Sequence, residues 1–454
     1  MTALWCCPHS KNEGRRHSSQ GVRCHINLNK KQEVPQQMKS ERSAGDITIL
    51  GGGIVGTCGA LELLERGFKV TLIDKGEKTH GSSYGNAGTI SPFSCVPLAM
   101  PGAWRNVPKW LLDPNGPLAV RPGYFLKFIP WGLRFILKGE SEESVLRISD
   151  AMAALSRGNT DLYAAHLRGT GSEGLMRPSC YVLAYRNPDA INTNKLDYKL
   201  RLKAGAKMEI ADDRRLRELE PALSSEFKAA LIIHGLGRAL SPGDLRDALI
   251  SKAIKLGAVF NRATAKAIRP ATGGWIVDTD KGQVQSSRLL LSAGAWSKGF
   301  LKPLGLTVPL EHEYGYHVEI DSPNITINNI IMDNDTKAVA NLMRGGLRVS
   351  SFADFRGPRS KPDNSRSKVL VHHARTLFPD LQISSYKEWG GPRPSFPDSL
   401  PVIGAVPNHE NLFVAFGHSH FGLGMAPRTA QLVGRVISGQ RPGVDMTPYA
   451  ISRF

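Results

Sequence analysis

The fold is decided by the stretch Ile47-Thr48-Ile49-Leu50-Gly51-Gly52-Gly53-Ile54-Val55-Gly56, an apolar strand that runs into a Gly-x-Gly-x-x-Gly turn. In such a turn Gly51 permits the tight bend, Gly53 lets the backbone approach a pyrophosphate, and Gly56 lets the next helix pack close to the strand. The free N–H groups and the dipole at the start of that helix favour an anion. The stretch therefore predicts a phosphate-binding turn.

The residues after the turn complete a βαβ unit. A helical pattern continues to Arg66 and ends at Gly67, and a second strand, Lys69–Ile73, ends on Asp74. The acid lies about 20 residues beyond the glycines, where a carboxylate accepts bonds from ribose hydroxyls. We expect the neighbouring Lys75 to contact the same ligand, so the unit predicts a bound dinucleotide.

Composition limits the kinds of partner. The chain has 454 residues and a formal net charge of +18, and residues 1–45 hold eight Lys or Arg against three Glu. No run of basic residues is interleaved with stacking aromatic residues, so no nucleic acid is expected. The remaining positive charge suits an anionic small molecule, an anionic membrane surface, or a solvated surface with no partner.

The first 44 residues are polar, basic and without periodicity. We predict a disordered tail, and a start at Met38 or a transit peptide are the alternatives. The six cysteines show neither metal-ligand spacing nor a disulfide framework, which predicts a reducing compartment and no metal. We expect a cytoplasmic protein, either free or in contact with the inner face of the cytoplasmic membrane.

One segment combines apolar and basic residues. Tyr124–Leu137 (YFLKFIPWGLRFIL) mixes aromatic residues with Lys127 and Arg134, and it is too short to span a bilayer. Two interpretations stay open: the segment lies on a membrane surface, or it forms packed helices that Pro130 separates.

Nucleotide-type signals recur in the middle and at the end of the chain. Buried strands are predicted at 288–292 and 412–416, and a helix is predicted from about 426 to 437. A single helical run is predicted from near 141 to about 167. We therefore predict an α/β fold with a discontinuous Rossmann-like cofactor domain and an inserted α+β substrate domain. The predicted boundaries are 45–95, 225–310 and 393–454 for the first, and 96–224 and 311–392 for the second.

Four segments in this order resemble a known superfamily. Besides the N-terminal turn they are Ser82–Pro92 (SSYGNAGTISP), Trp389–Pro401 (WGGPRPSFPDSLP) and Gly417–Met425 (GHSHFGLGM). The combination resembles the flavin-dependent amine oxidoreductases that include D-amino-acid oxidase, glycine oxidase and sarcosine oxidase. It is most similar to bacterial D-amino-acid dehydrogenases of the small-subunit type. The resemblance implies FAD, and we expect it to be non-covalent because no cysteine follows Cys180.

The resemblance also implies which residues hold FAD. Ser82 and Ser83 would bond the pyrophosphate, and the backbone from Asn86 to Gly88 would run along the isoalloxazine edge. The amides after Gly422 would stabilise the reduced ring. The full predicted set is Gly51, Gly53, Ile54, Val55, Gly56, Asp74, Lys75, Ser82, Ser83, Asn86, Ala87, Gly88, Lys266, Ala293, Gly294, Gly422, Leu423, Gly424 and Met425.

By the same resemblance, Arg393 is the predicted anchor of a substrate carboxylate. A planar guanidinium holds a carboxylate with two parallel bonds and fixes its orientation, which hydride transfer requires. Tyr316 is the second predicted contact, with plain burial as the alternative. His418 and His420 are expected to be structural.

The activity that the resemblance implies is the FAD-dependent oxidative deamination of a D-amino acid, in amino-acid catabolism. Hydride would leave Cα for the flavin, and the imino acid would hydrolyse to a 2-oxo acid and ammonia. D-proline or D-hydroxyproline would give a stable cyclic imine instead. The expected electron acceptor is a respiratory quinone or carrier. An oxygen-using glycine or sarcosine oxidase and a non-catalytic flavoprotein subunit are the alternatives.

Overall fold

The computed structural model describes residues 44–77, 81–113, 115–358 and 360–454, so almost all of the predicted tail lies outside the described residues. The strands are β1 (Asp46–Leu50), β2 (Lys69–Asp74), β3 (Thr89–Ile90), β4 (Leu118–Val120), β5 (Met176–Tyr185), β6 (Met208–Asp212), β7 (Ala229–Ala239), β8 (Val259–Arg262), β9 (Ala265–Ala271), β10 (Gly274–Thr279), β11 (Gly282–Ser286), β12 (Arg288–Leu291), β13 (Glu311–Ile320), β14 (Ile330–Asp333), β15 (Val339–Met343), β16 (Gly346–Phe355), β17 (Tyr386–Ser395), β18 (Val402–Ala405) and β19 (Leu412–Phe416). The α-helices are α1 (Ile54–Glu65), α2 (Val107–Leu112), α3 (Phe125–Lys138), α4 (Glu142–Ser156), α5 (Asn159–Leu167), α6 (Leu196–Lys203), α7 (Asp213–Leu219), α8 (Pro242–Lys255), α9 (Ser297–Leu301), α10 (Ser365–Leu377) and α11 (Gly422–Ile437).

A six-stranded sheet contains the βαβ unit. Its order is β18-β19-β12-β1-β2-β8, and every neighbouring pair is parallel except β18 with β19. The strand residues Ile47 and Leu72 are fully or almost fully buried, and they share one core with α1, α8 and α11. Apolar strands covered by helices are what a parallel sheet requires, and the predicted α/β class with a Rossmann-like unit is confirmed.

A ten-stranded mixed sheet forms the second layer. Its main path is β17-β13-β16-β15-β14-β5-β7-β3, and β4 and β6 pair with β16 and β7. Helix α10 shares a core with β13 and β16. A small sheet, β11-β10-β9, is separate from both. The strands β3 and β7 belong to the ten-stranded sheet, so the predicted boundaries at 95 and 225 do not coincide with the sheet edges, and the domain division stays a prediction.

One helix prediction was wrong in detail, and the division at Pro130, one of the two interpretations of Tyr124–Leu137, is not observed. The run predicted from 141 to 167 is broken into α4 and α5 at Gly158, whose φ of 67° is left-handed. Conversely, Pro130 lies inside α3 and does not divide it. Proline removes only the bond to the carbonyl of Leu126, and this residue is exposed, so water can satisfy that carbonyl. Within the described ranges, no helix is both long and apolar enough to cross a membrane.

Candidate active site

A cavity of about 1770 Å³ extends from the six-stranded sheet to the ten-stranded sheet. Residues at or just beyond the carboxyl ends of β1, β2 and β12 line it, which is where open parallel sheets bind ligands. Side chains of β13, β16 and β17 line it as well, among them Glu313, Phe352 and Arg393. The cavity therefore joins a nucleotide-type site to a second group of polar side chains.

Most of the predicted cofactor residues lie on the cavity wall. They are Gly51, Gly53, Ile54, Val55, Asp74, Lys75, Ser82, Ser83, Asn86, Ala87, Lys266, Ala293, Gly294, Gly422, Leu423 and Gly424. Gly56, Gly88 and Met425 do not line it. A Cβ at Gly56 would overlap the Gly51 carbonyl oxygen and lie 2.5 Å from Ser292 Oγ. Gly56 thus allows close packing behind the turn, and Met425 is a core residue.

The start of α1 offers its amides to the cavity. Gly53 precedes the helix without a side-chain cap, and no acidic residue lies in the first turn. The Ile54 amide donates to Ser83 Oγ at 3.0 Å. The Asp74 carboxylate accepts from the amides of Gly52 and Gly76, both at 2.8 Å, and is thereby fixed at the end of β2. A helix start with no acidic side chain in its first turn, beside a fixed carboxylate, fits the pyrophosphate and ribose of a dinucleotide.

The loop before β3 is held by residues of the ten-stranded sheet. Buried Arg348 donates to the carbonyls of Tyr84 and Asn86 at 3.0 and 2.7 Å, and Glu319 pairs with the same guanidinium at 2.7 Å. Asn341 donates to the Ala87 carbonyl at 2.9 Å. These contacts fix the backbone that faces the cavity, and sequence analysis missed all three side chains.

Two side chains of α5 donate hydrogen bonds to backbone carbonyls in the first turn of α11. The Tyr163 hydroxyl donates to the Leu423 carbonyl at 2.6 Å, and the Asn159 amide donates to the Gly424 carbonyl at 3.1 Å. Gly422, Leu423 and Gly424, the first residues of α11, line the cavity, and no acidic residue lies in this first turn. The helix dipole therefore favours a negative charge at this end of the cavity.

The two histidines before α11 lie in different surroundings. His418 is buried and contacts the Thr429 hydroxyl at 3.0 Å, and burial lowers its pKa to about 3. His420 lines the cavity and is exposed, unlike His418. For His418 this agrees with the structural role that was expected.

Arg393 occupies the cavity wall with a buried carboxylate beside it. Its Nη1 donates to Glu313 Oε1 at 2.9 Å and to the Phe352 carbonyl at 2.6 Å. The other Glu313 oxygen accepts from Ser395 Oγ at 2.6 Å. Among the described residues, none accepts a bond from Nε or Nη2 of Arg393. One edge of the guanidinium is thus anchored, and the other is available to a ligand.

Two backbone features make room for this arginine. A Cβ at Gly315 would lie 2.6 Å from Arg393 Nε and closer still to Cζ and Nη2. On β16 the pairing with β13 shifts register between Ser351 and Asp354, and Phe352 in that bulge has a φ of 74°. The bulge turns the Phe352 carbonyl toward the guanidinium, and bulges are frequent next to active sites.

Tyr316 is placed away from the cavity. It is buried, and its hydroxyl donates to Asp354 Oδ2 at 2.8 Å. The Tyr316 hydroxyl oxygen in turn accepts from the Asp363 amide at 3.2 Å. Burial, reinforced by Asp354, raises the pKa of this phenol. The geometry therefore argues against the predicted carboxylate contact and favours the alternative of plain burial.

Glu313 and Gly315 were missed by the sequence analysis. Both belong to the sequence Glu313-Tyr314-Gly315-Tyr316, and a glycine between two tyrosines inside a strand was a usable signal of close approach. Within the described ranges no group of His, Cys, Asp and Glu could hold a metal ion, and Cys58, Cys95 and Cys180 form no disulfide bond there.

Comparison with known proteins gives a family match. Residues 46–436 match the family described as "DAO: FAD dependent oxidoreductase". A D-amino-acid oxidase of Bradyrhizobium diazoefficiens is 35% identical over 416 residues, which are 90% of this chain and 98% of that protein. A D-amino acid dehydrogenase of Allorhizobium ampelinum is 28% identical over 430 residues, 90% of this chain and 98% of that protein.

Solved structures give the same fold. Glycine oxidase from Geobacillus kaustophilus has a TM-score of 0.68 at 20% identity, covering 90% of this chain and 99% of that one. L-proline dehydrogenase from P. horikoshii has a TM-score of 0.67 at 21% identity, covering 90% and 97%.

Proposed function

The chain belongs to the DAO family of FAD dependent oxidoreductases, and we propose that it catalyses the oxidative deamination of D-amino acids. The names of the two relatives, a D-amino-acid oxidase and a D-amino acid dehydrogenase, support this substrate class. The imino acid formed hydrolyses to a 2-oxo acid and ammonia. A cyclic substrate such as D-proline remains within the proposal.

FAD supplies the hydride acceptor when it is bound. We assign its pyrophosphate to the start of α1 and to Ser83, and its ribose to Asp74. These groups fit because α1 begins at the cavity with no acidic residue in its first turn, and because the Asp74 carboxylate is already fixed. The isoalloxazine is assigned to the loop that Arg348 holds and to the first amides of α11.

The observation that carries the substrate proposal is the half-anchored guanidinium of Arg393. Its unused edge, Nε and Nη2, has the fork geometry that binds a carboxylate. Glu313 holds the other edge, so the arginine is preorganised before substrate enters. Because Glu313 neutralises much of this charge, the pair favours a zwitterion with an uncharged side chain over an amino acid with two carboxylates.

The electron acceptor in this proposal is a membrane quinone or an electron carrier. A second candidate is an oxygen-using oxidase, which the name of the 35% identical relative favours. Turnover of D-alanine with a quinone analogue, compared with hydrogen peroxide formed in air, separates the two. Both candidates use the same carboxylate clamp, by which we mean the substrate carboxylate bound to Nε and Nη2 of Arg393.

The test replaces Arg393 with Ala and with Lys. We expect kcat/KM for a D-amino acid to fall by about 30-fold to several-thousand-fold, because removing one partner of a desolvated ion pair costs about 2–5 kcal/mol. Lysine cannot form the two parallel bonds of a guanidinium, so Arg393→Lys should also lower kcat/KM for the D-amino acid. Wild type should strongly prefer the acid to its amide, and the variants should lose that preference.

Two controls keep the result interpretable. Arg393→Ala leaves buried Glu313 unpaired, so the double variant with Glu313→Gln separates misfolding from lost binding. Arg201, which also lines the cavity and pairs with Asp197 at 2.8 Å, is the matched arginine, and Arg201→Ala should keep the acid preference. If Arg393→Ala with full flavin content still prefers the acid as wild type does, the clamp lies elsewhere.

A further inference from the structure

The surface formed by α2, α3 and the turn before α2 exposes an unusual number of large apolar side chains. We call it the α2–α3 face. Its members are Trp104, Leu111, Leu112, Phe125, Leu126, Ile129, Leu133, Ile136 and Leu137. These nine are more than half of the sixteen exposed large apolar side chains among the described residues. Concentrations of this kind mark an interaction surface.

Helix α3 has two apolar sides with different surroundings. On one side, the ring centroids of Phe128 and Trp131 lie 4.5 and 5.0 Å from the ring centroid of Phe355 in β16. On the other side, Leu126 and Leu137 are 80% and 63% exposed. Positions 126, 129, 133 and 137 are three or four residues apart, so they form one continuous row. Packing within the described chain therefore accounts for only one side.

A row of cations runs beside the apolar row. Lys127, Arg134 and Lys138 are seven and four residues apart, so they share one side of α3, and all three are exposed. Arg105, Lys109 and Arg121 are exposed nearby. Between residues 81 and 139 the sequence has these six basic residues and a single acidic one, Asp113. The face is therefore both apolar and strongly cationic.

We propose that the α2–α3 face docks on an anionic phospholipid bilayer, with α3 lying in the plane of the interface. An apolar row flanked by Lys and Arg, with aromatic residues, is typical of helices that bury one side at the headgroup boundary. A bilayer supplies an apolar phase and a negative surface together. A protein partner would need an apolar groove and several acidic residues in matching register.

The same helices form part of the cavity wall. Five of the nine members of the α2–α3 face line the cavity as well, namely Leu111, Phe125, Ile129, Leu133 and Ile136. Docking would thus bring the cavity wall to the acyl boundary, where a lipid-soluble electron acceptor dissolves. That consequence rests on the proposed function, whereas docking itself does not.

The experiment measures cosedimentation of the full-length flavoprotein with vesicles of phosphatidylglycerol or of phosphatidylcholine. The apolar variant is Leu112→Gln/Leu126→Gln/Leu137→Gln, since these three side chains are strongly exposed and none lines the cavity. Its matched control is Leu202→Gln/Ile210→Gln/Leu256→Gln, on exposed positions elsewhere.

The charge variant is Lys127→Glu/Arg134→Glu/Lys138→Glu. Its control, Lys199→Glu/Lys255→Glu/Lys281→Glu, changes the net charge equally at other exposed positions. Each protein is checked for flavin content, Tm and turnover with a soluble dye, so a failed substrate proposal and a failed docking proposal are told apart.

We expect wild type and both controls to bind phosphatidylglycerol vesicles, and binding to weaken in high salt. The charge variant should bind about a hundredfold more weakly or worse, since each basic residue near an anionic surface contributes about fivefold. The apolar variant should also be defective. The proposal is overturned if wild type does not bind, if controls and variants bind alike, or if the apolar variant only changes the oligomeric state.

Discussion

Replacing Gly315 with alanine tests whether the position of Arg393 controls turnover. The new Cβ would lie 2.6 Å from Nε and closer to Cζ and Nη2, in space that the guanidinium occupies. The backbone on both sides is held in the ladder with β17, so the arginine side chain must move. The substitution thereby displaces Arg393 without changing any charge.

The expected decrease in kcat/KM follows from the hydrogen bonds that Arg393 loses. Displacement breaks the 2.9 Å bond to Glu313 and the 2.6 Å bond to the Phe352 carbonyl, which together fix the fork. Hydrogen bonds to charged groups contribute about 1.5–3 kcal/mol each. The displaced guanidinium recovers part of this stabilisation through the bonds that it makes in its new position. We expect kcat/KM to fall by about 30- to 1000-fold, corresponding to about 2–4 kcal/mol.

The assay is steady-state turnover of a D-amino acid and its amide with a dye acceptor, at matched flavin content. The substitution should lower kcat/KM for the amino acid far more than kcat/KM for its amide. Gly123→Ala is the control, because a Cβ there meets nothing within 4 Å and its φ is not left-handed. If Gly315→Ala retains wild-type kcat/KM for the acid while Tm shows it folded, the guanidinium position does not limit the reaction and the reasoning fails.

Three further predictions concern cofactor, pH and tail. FAD should be released by acid precipitation, and flavin that stays with the precipitated protein would contradict this. Asp74→Ala should bind FAD at least tenfold more weakly, and an unchanged affinity would contradict the role of Asp74. Burial lowers the pKa of His418 from 6.5 to about 3, so its contribution to stability is full above pH 6.5 and is lost as the pH falls toward 3. His418→Gln should therefore flatten the fall in the free energy of unfolding below pH 6.5 by up to about 1.4 kcal/mol per pH unit, measured by denaturant unfolding, whereas exposed His372→Gln should not. A chain that begins at Met38 should fold, bind FAD and turn over normally, and an insoluble or flavin-free product would show that the tail is structural.

The cofactor end of the cavity was predictable because its signal is local. Gly51 and Gly56 lie within one turn, and each sits where a Cβ would collide with the backbone or with Ser292, so the fold leaves little choice of residue. The start of α11 was predicted about four residues late. Its glycines at 422 and 424 weaken the helical pattern, while tertiary packing overrides that preference.

The substrate end was only half predictable. Arg393 was predicted through a family likeness, but its partner Glu313 is 80 residues away in sequence. They meet because β13 and β17 pair antiparallel with Glu313 opposite Arg393, and a one-residue slip would separate them. That register depends on packing of the whole sheet. For the same reason, Tyr316 was assigned to the site although the sheet directs its hydroxyl to Asp354.

The left-handed backbone at Phe352 has a consequence for engineering. A bulky residue at a φ of 74° costs about 1–3 kcal/mol, and here that conformation aims a carbonyl at the guanidinium. Glycine adopts this conformation without that cost, but it would also remove a core side chain that is only 5% exposed, and such a loss costs about 3–5 kcal/mol. The phenyl ring therefore holds the strained backbone in place, and thermal stability cannot be raised by relieving the strain at position 352 with glycine.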